Sequence, residues 1–183
     1  MVRQEWLAFI GSLRKGSYNR ALFDVFSGMA PADVVWHEAE IRALPFYNPD
    51  MAPPPAADRF WQQVRSADAL VFFTPEYNGS IPAVLKNAID WASRDPQGSP
   101  LVGKPTVVLG ASQGLFGTLR SQLHLRQILS FVGMELVQRP EVLVSEAHLK
   151  LEPRGQLNDP VAVRLMKTLA QNLYERVGRM LAV

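Results

Sequence analysis

Apolar positions along the chain fall into short unbroken runs separated by stretches with helical spacing. Trp6-Leu7-Ala8-Phe9-Ile10 contains no polar residue and stops at Gly11, the pattern of a strand buried on both faces. Ala21, Leu22, Val25 and Phe26 then recur at helical spacing until residues 28–31 stop them. Residues 34–37 read as a short second strand, and Asp58 as the cap of a helix carrying Phe60, Trp61 and Val64. The most hydrophobic run, residues 69–74, belongs at the centre of a sheet. Pro82 opens a helix through Leu85, Ala88 and Trp91, residues 105–110 form a fourth strand, and a helix covers about 118–132. A fifth strand within 134–144, a polar connection and a helix over about 160–180 complete the pattern.

Five strands alternating with five helices imply right-handed crossovers and a parallel sheet covered on both faces, a three-layer α/β/α sandwich. Five strands favour the order 2-1-3-4-5, with a ligand at the strand ends around the switch point between strands one and three. No linker or internal repeat interrupts residues 1–183, so one domain is expected. The proline-rich stretch over 44–55 reads as a long surface loop, either functional or a stiffened connection.

Composition narrows the chemistry. Hydrophobic residues make up 48% and charged residues 20%, the balance of an ordinary globular protein. The net charge is only +2, with 19 basic and 17 acidic residues scattered, so nucleic-acid binding is unsupported. The absence of cysteine removes disulfides, thiolate metal sites and thiol nucleophiles, and spacings such as HExxH are also missing. Any redox chemistry must come from a cofactor. Residues 1–5 lack the apolar core of a signal peptide and no run approaches the roughly 20 apolar residues of a membrane span, so a cytoplasmic protein without membrane insertion is expected.

Gly11-Ser12-Leu13-Arg14-Lys15-Gly16-Ser17-Tyr18-Asn19 lies between a strand and a helix, whose first turn offers free N–H groups and a partial positive charge to an anion. Alone, it reads equally as an ordinary βα loop capped by Ser17. A Walker A loop needs Lys at position 17, where this chain has Ser. The dinucleotide fingerprint also fails, because Gly11 and Gly16 lack GxGxxG spacing and His37, not an acid, stands near the end of the second strand. What remains is a terminal monophosphate, for which Ser12, Arg14, Ser17 and Asn19 are the donors. FMN carries such a group.

That loop, Pro75-Glu76-Tyr77-Asn78-Gly79-Ser80, and Leu85-Lys86-Asn87-Ala88-Ile89-Asp90-Trp91 together resemble the NADPH-dependent FMN reductase family of flavodoxin-like quinone, azo and chromate reductases. The resemblance extends to Asn48-Pro49-Asp50 and to Gly110-Ala111-Ser112 with Leu125-Arg126-Gln127. It implies a flavodoxin-like fold, noncovalent FMN, a homodimer or dimer of dimers, and hydride transfer from NADPH or NADH through flavin to a small-molecule acceptor such as a quinone. Carried over by position, Ser12, Arg14, Ser17 and Asn19 hold the FMN phosphate and Tyr18 lies beside the ribityl chain. Pro75, Glu76, Tyr77, Asn78 and Gly79 line the ring, and Ser112 and Gly114 close over its other side. Glu76 is expected to turn its carboxylate away, because an anion facing the ring disfavours the negatively charged reduced flavin. Ala83 and Thr118 stand where many relatives have glycine, which leaves the placing of two helix starts open.

Two other readings share the cofactor. A single-electron carrier would bind FMN, but such carriers are strongly acidic around the flavin, unlike a chain of net charge +2. A flavin-binding redox regulator is the third. Lys86 and Asp90 read as a solvated pair, and Trp91 as either core or subunit interface. His124 and His148 have no triad partners in any motif, and Arg120 and Arg126 suit subunit contacts. Arg14→Ala and Ser17→Ala are expected to weaken FMN retention with little effect on folding.

Overall fold

The computed structural model describes residues 2–151 and 156–182. A parallel sheet is formed by β1 (Gln4–Ile10), β2 (Val34–Glu38), β3 (Ala69–Phe73), β4 (Pro105–Ala111), β5 (Glu135–Leu136) and β6 (Val142–Val144). The helices are α1 (Tyr18–Ser27), α2 (Pro55–Ser66), α3 (Ala83–Ala92), α4 (Leu119–Phe131), α5 (Ala147–Lys150) and α6 (Pro160–Leu181), with a 3-10 turn at Ile41–Ala43. The strand order is β2-β1-β3-β4-β5, as the crossover argument predicts, with β6 also on β4.

The unbroken apolar runs of β1 and β3 are explained by the two cores they feed. Leu7, Phe9, Leu70 and Phe72 face a layer containing Phe60, Trp61, Leu85, Trp91 and Leu125. Their neighbours Trp6, Ala8, Ile10, Val71 and Phe73 face Leu22, Phe26, Met166, Leu169 and Leu173. Alternate residues point to opposite faces, so both sets must be apolar. Trp91 is a core residue: it is buried, packs edge-on to Trp61 and Tyr47, and donates Nε1 to Pro45 O at 2.8 Å.

Three expectations need correction. The fifth strand is interrupted, since β5 pairs Pro105 and Thr106 whereas β6 pairs Leu109 to Ala111. Pro140, with no N–H to give a ladder, lies in the gap. On that edge of β4, Thr106 O accepts from Val137 N at 2.8 Å, and two residues on Val108 O also receives Arg126 Nη2 at 3.4 Å. Burial holds the Arg126 pKa below its usual value. Second, α2 starts at Pro55 with Pro54 as its flanking residue, and Asp58 sits inside the first turn without capping it. Third, the polar connection contains α5, a helix of four residues, giving six helices among the described residues rather than five.

The proline-rich loop is fastened to α3. Asn87 Oδ1 accepts from Tyr47 N at 2.8 Å and its Nδ2 donates to Pro45 O at 2.9 Å. Lys86 and Asp90 form the expected exposed pair, at 2.6 and 2.7 Å, worth a few tenths of a kcal/mol.

Candidate flavin site

The loops after β1, β3 and β4 leave the same edge of the sheet and are started in register. Gly11 N donates to Phe73 O at 2.8 Å and Thr74 N to Leu109 O at 2.9 Å, so ladder geometry runs one step beyond the strands. Between the loops lies a cavity of about 370 Å³, within the ~300–1,000 Å³ range of small-molecule sites. Ser12, Arg14, Ser17, Tyr18 and Asn19 line it from the first loop, Pro75, Glu76 and Tyr77 from the second, and Ser112 and Gly114 from the third.

Ser17 caps α1, its Oγ accepting from Arg20 N at 3.2 Å. The N–H groups of Tyr18 and Asn19 in that first turn have no intrahelical acceptor, which makes the cavity end attractive to an anion. Arg14 lies across the Tyr18 ring at 5.3 Å and donates to Gly16 O at 2.5 Å. Ser12 Oγ receives Tyr77 Oη at 3.4 Å, joining the first and second loops. Tyr18 Oη accepts from Gln113 Nε2 at 3.0 Å, joining the first and third.

Asn19 borders the cavity, yet its amide is committed to the scaffold. Nδ2 donates to Ala111 O and Oδ1 accepts from Ala111 N, both at 3.0 Å and buried. This two-point contact clamps α1 to the end of β4. Asn19→Ala should therefore destabilise the cofactor-free protein, by about 1–3 kcal/mol for the stranded Ala111 groups, read as a lower thermal midpoint without added flavin. An unchanged midpoint would refute the clamp.

Asn78 and Gly79 do not line the cavity. They are the central pair of a tight turn in which Tyr77 and Ser80 exchange N–H···O bonds of 3.0 Å, with φ of 52° and 74°. Asn-Gly suits these paired positive φ values, so the two residues shape the loop that presents Tyr77. Ser80 Oγ meets His124 Nδ1 at 3.0 Å, a partner that no sequence motif suggested. Glu76 lines the cavity and turns its carboxylate to the start of α4, where Oε2 accepts from Arg120 N at 3.0 Å and Ser121 N at 3.3 Å.

Sequence reasoning missed Gln113, Leu115, Phe116, Gly117 and Arg120, all of which border the cavity. The exposed apolar pair Leu115-Phe116 between two glycines was the available signal. Gly117 has φ of 62° and its missing Cβ would lie 3.1 Å from Leu143, so any larger residue there would be strained. The second strand also ends one residue later than expected, on Glu38. That acid is engaged by Arg20. Thr118 is buried, with Oγ1 accepting from Gln122 Nε2 at 3.0 Å.

Residues 5–149 match the model of the family described as NADPH-dependent FMN reductase. The chain is 46% identical over 177 residues to an NAD(P)H-dependent FMN reductase of Pseudomonas aeruginosa, covering 95% of each chain. It is 43% identical over 153 residues to a quinone reductase of Pseudomonas putida, covering 82% of each. Among solved structures, the flavoenzyme NAD(P)H:(acceptor) oxidoreductase FerB from Paracoccus denitrificans superimposes with a TM-score of 0.87 at 30% identity, over 96% of this chain and 98% of that one. With the sheet order, the three loops and these likenesses in agreement, the chain belongs to the NADPH-dependent FMN reductase family.

Proposed function

We propose that the protein is an FMN-dependent NAD(P)H oxidoreductase that passes reducing equivalents to quinones, as the names of its relatives suggest. The observation that carries this reading is the meeting, in one cavity, of a monophosphate donor set at the α1 N-terminus with a slot bounded by the second and third loops. The donors fit the cofactor: two hydroxyls, one guanidinium and first-turn amides suit a terminal phosphate, and Ser17 in place of Lys suits no longer one. Bound FMN would supply the hydride-accepting centre that no side chain of a cysteine-free chain offers.

The chain's own residues then bind and orient. Ser12, Arg14 and Ser17 hold the phosphate, and Tyr18 flanks the ribityl chain. Pro75, Tyr77 and the backbone of Glu76 face one side of the ring, Ser112 and Gly114 the other. Asn19, Asn78 and Gly79 act one step back, by fixing α1 to β4 and by shaping the Tyr77 turn. The test is FMN retention on gel filtration, then NADPH and NADH oxidation against quinones, azo dyes, free FMN and chromate. Quinone-dependent oxidation with retained FMN is expected. A protein that neither retains FMN nor oxidises NAD(P)H with quinone overturns the proposal.

A homodimer or dimer of dimers is proposed with it. Phe131 is 91% exposed at the end of α4, beside a groove that includes Ile89, Ile128 and Val132. Such apolar exposure supports burial against a second copy. Phe131→Asp is expected to halve the mass measured by light scattering, and an unchanged mass argues for another interface. No helix among the described residues is long and apolar enough to cross a membrane. A cytoplasmic location, where NAD(P)H is available, is part of the same proposal.

A further inference from the structure

Helix α4 starts at the cavity without a cap of its own, since Thr118 makes no side-chain capping bond. Its first-turn amides are met by Glu76, which belongs to a different loop, through Oε2 to Arg120 N at 3.0 Å and Ser121 N at 3.3 Å. The other carboxylate oxygen accepts from Arg120 Nη1 at 2.7 Å. One acid from the second loop therefore neutralises both the helix terminus and the guanidinium of the third wall.

The two partners are unequally placed. Glu76 has 11% of its side-chain surface exposed and Arg120 54%, and both border the cavity. Arg120 lies over the Phe116 ring at 5.4 Å, and its Cδ is 3.6 Å from where a Cβ on Gly79 would stand. Its guanidinium has five N–H donors, and the contact with Glu76 engages Nη1. A cation with donors to spare thus sits at the rim of the proposed flavin slot, held by an anion that is itself nearly buried.

A purely architectural cap has no need of this arrangement. A Ser, Asp or Asn at position 118 would cap α4 locally. Bringing the carboxylate from the opposite wall instead sets a charge pair on the lining of the cavity in which FMN would be held, and reduction of that cofactor would add negative charge there. Arg120 favours that charge and Glu76 opposes it, so the pair sets how strongly the reduced cofactor is stabilised. We propose that Glu76 and Arg120 are the redox-tuning pair of this site, with Glu76 restraining the stabilisation that Arg120 gives the reduced flavin. The inference rests on the FMN reading above.

Glu76→Gln keeps an oxygen for the Arg120 and Ser121 amides but removes the charge, whereas Glu76→Ala removes both. In the FMN-loaded protein, Glu76→Gln is expected to raise the midpoint potential. The shift corresponds to about a tenfold gain in relative affinity for reduced over oxidised FMN, or ~30 mV for a two-electron couple. Arg120→Gln is expected to move the potential the opposite way, and Arg120→Lys to restore most of it. Glu76→Ala should in addition lower the thermal midpoint of the cofactor-free protein, because α4 loses its cap. Potentials that stay at the wild-type value in both Glu76→Gln and Arg120→Gln, with FMN retained, leave the pair as a cap alone and overturn the inference while sparing the FMN reading. Wild-type protein that retains no FMN overturns both.

Discussion

Gly110→Ala is expected to give little soluble protein, and what is recovered should melt well below the wild type. A Cβ at this position would lie 2.2 Å from Thr74 O and 2.3 Å from Thr118 Oγ1. Neither neighbour can yield readily. Thr74 N is bonded to Leu109 O at 2.9 Å and its Oγ1 to Ser121 Oγ at 2.7 Å, while Thr118 is fully buried at the start of α4. Overpacking of this kind costs about 1–3 kcal/mol and sometimes more, against a total stability of about 5–15 kcal/mol. For a chain of this length, a cost of about 3 kcal/mol lowers the thermal midpoint by roughly 6–12 °C. Gly16→Ala is the control, because a Cβ there meets nothing within 4 Å. A Gly110→Ala midpoint equal to that of Gly16→Ala would refute the close approach.

Gly110 also shows how the site is assembled from a pattern the sequence makes visible. The apolar runs at Trp6 to Ile10 and over 69–74 announce strands covered on both faces, and crossover handedness then leaves few sheet orders. The switch-point rule directs attention to the loops after β1, β3 and β4, and these do enclose the cavity. Long-range commitments were not legible. The position of Asn19 at a helix start marks it as a donor, but nothing local reveals a clamp on Ala111, 92 residues away. Glu76 could be expected to avoid the ring on electrostatic grounds, yet its destination at α4 depended on Thr118 failing to cap that helix.

Other misses had a local signal. Asn78-Gly79 is a strong tight-turn signature, and it pointed to a shaping role rather than a lining one. Pro140 likewise argued against one continuous fifth strand. The six-residue separation of Arg120 and Arg126 concealed two unrelated tasks, an ion pair with Glu76 and a contact with the Val108 carbonyl. A helix as short as α5 lies below what apolar spacing can announce.

Arg14→Ala separates binding from folding more cleanly than any other change in the first loop. The side chain is exposed, and within the protein it contributes one bond to Gly16 O and a contact with the Tyr18 ring. Its removal should leave the cofactor-free thermal midpoint unchanged. Toward FMN the expectation is large: a hydrogen bond to a charged group contributes about 1.5–3 kcal/mol, so the dissociation constant should rise roughly ten- to a hundredfold. Ser17→Ala differs, because Ser17 Oγ also caps α1 through Arg20 N at 3.2 Å. Losing that cap costs about 1 kcal/mol, so Ser17→Ala should lower both the cofactor-free midpoint and FMN affinity. This replaces the sequence-based expectation that Ser17→Ala leaves folding nearly intact. Flavin fluorescence titration and melting of the cofactor-free protein read the two quantities independently. If Arg14→Ala binds FMN as the wild type does, the phosphate does not lie against Arg14, and the anion site at the α1 N-terminus would have to rest on hydroxyls and amides alone.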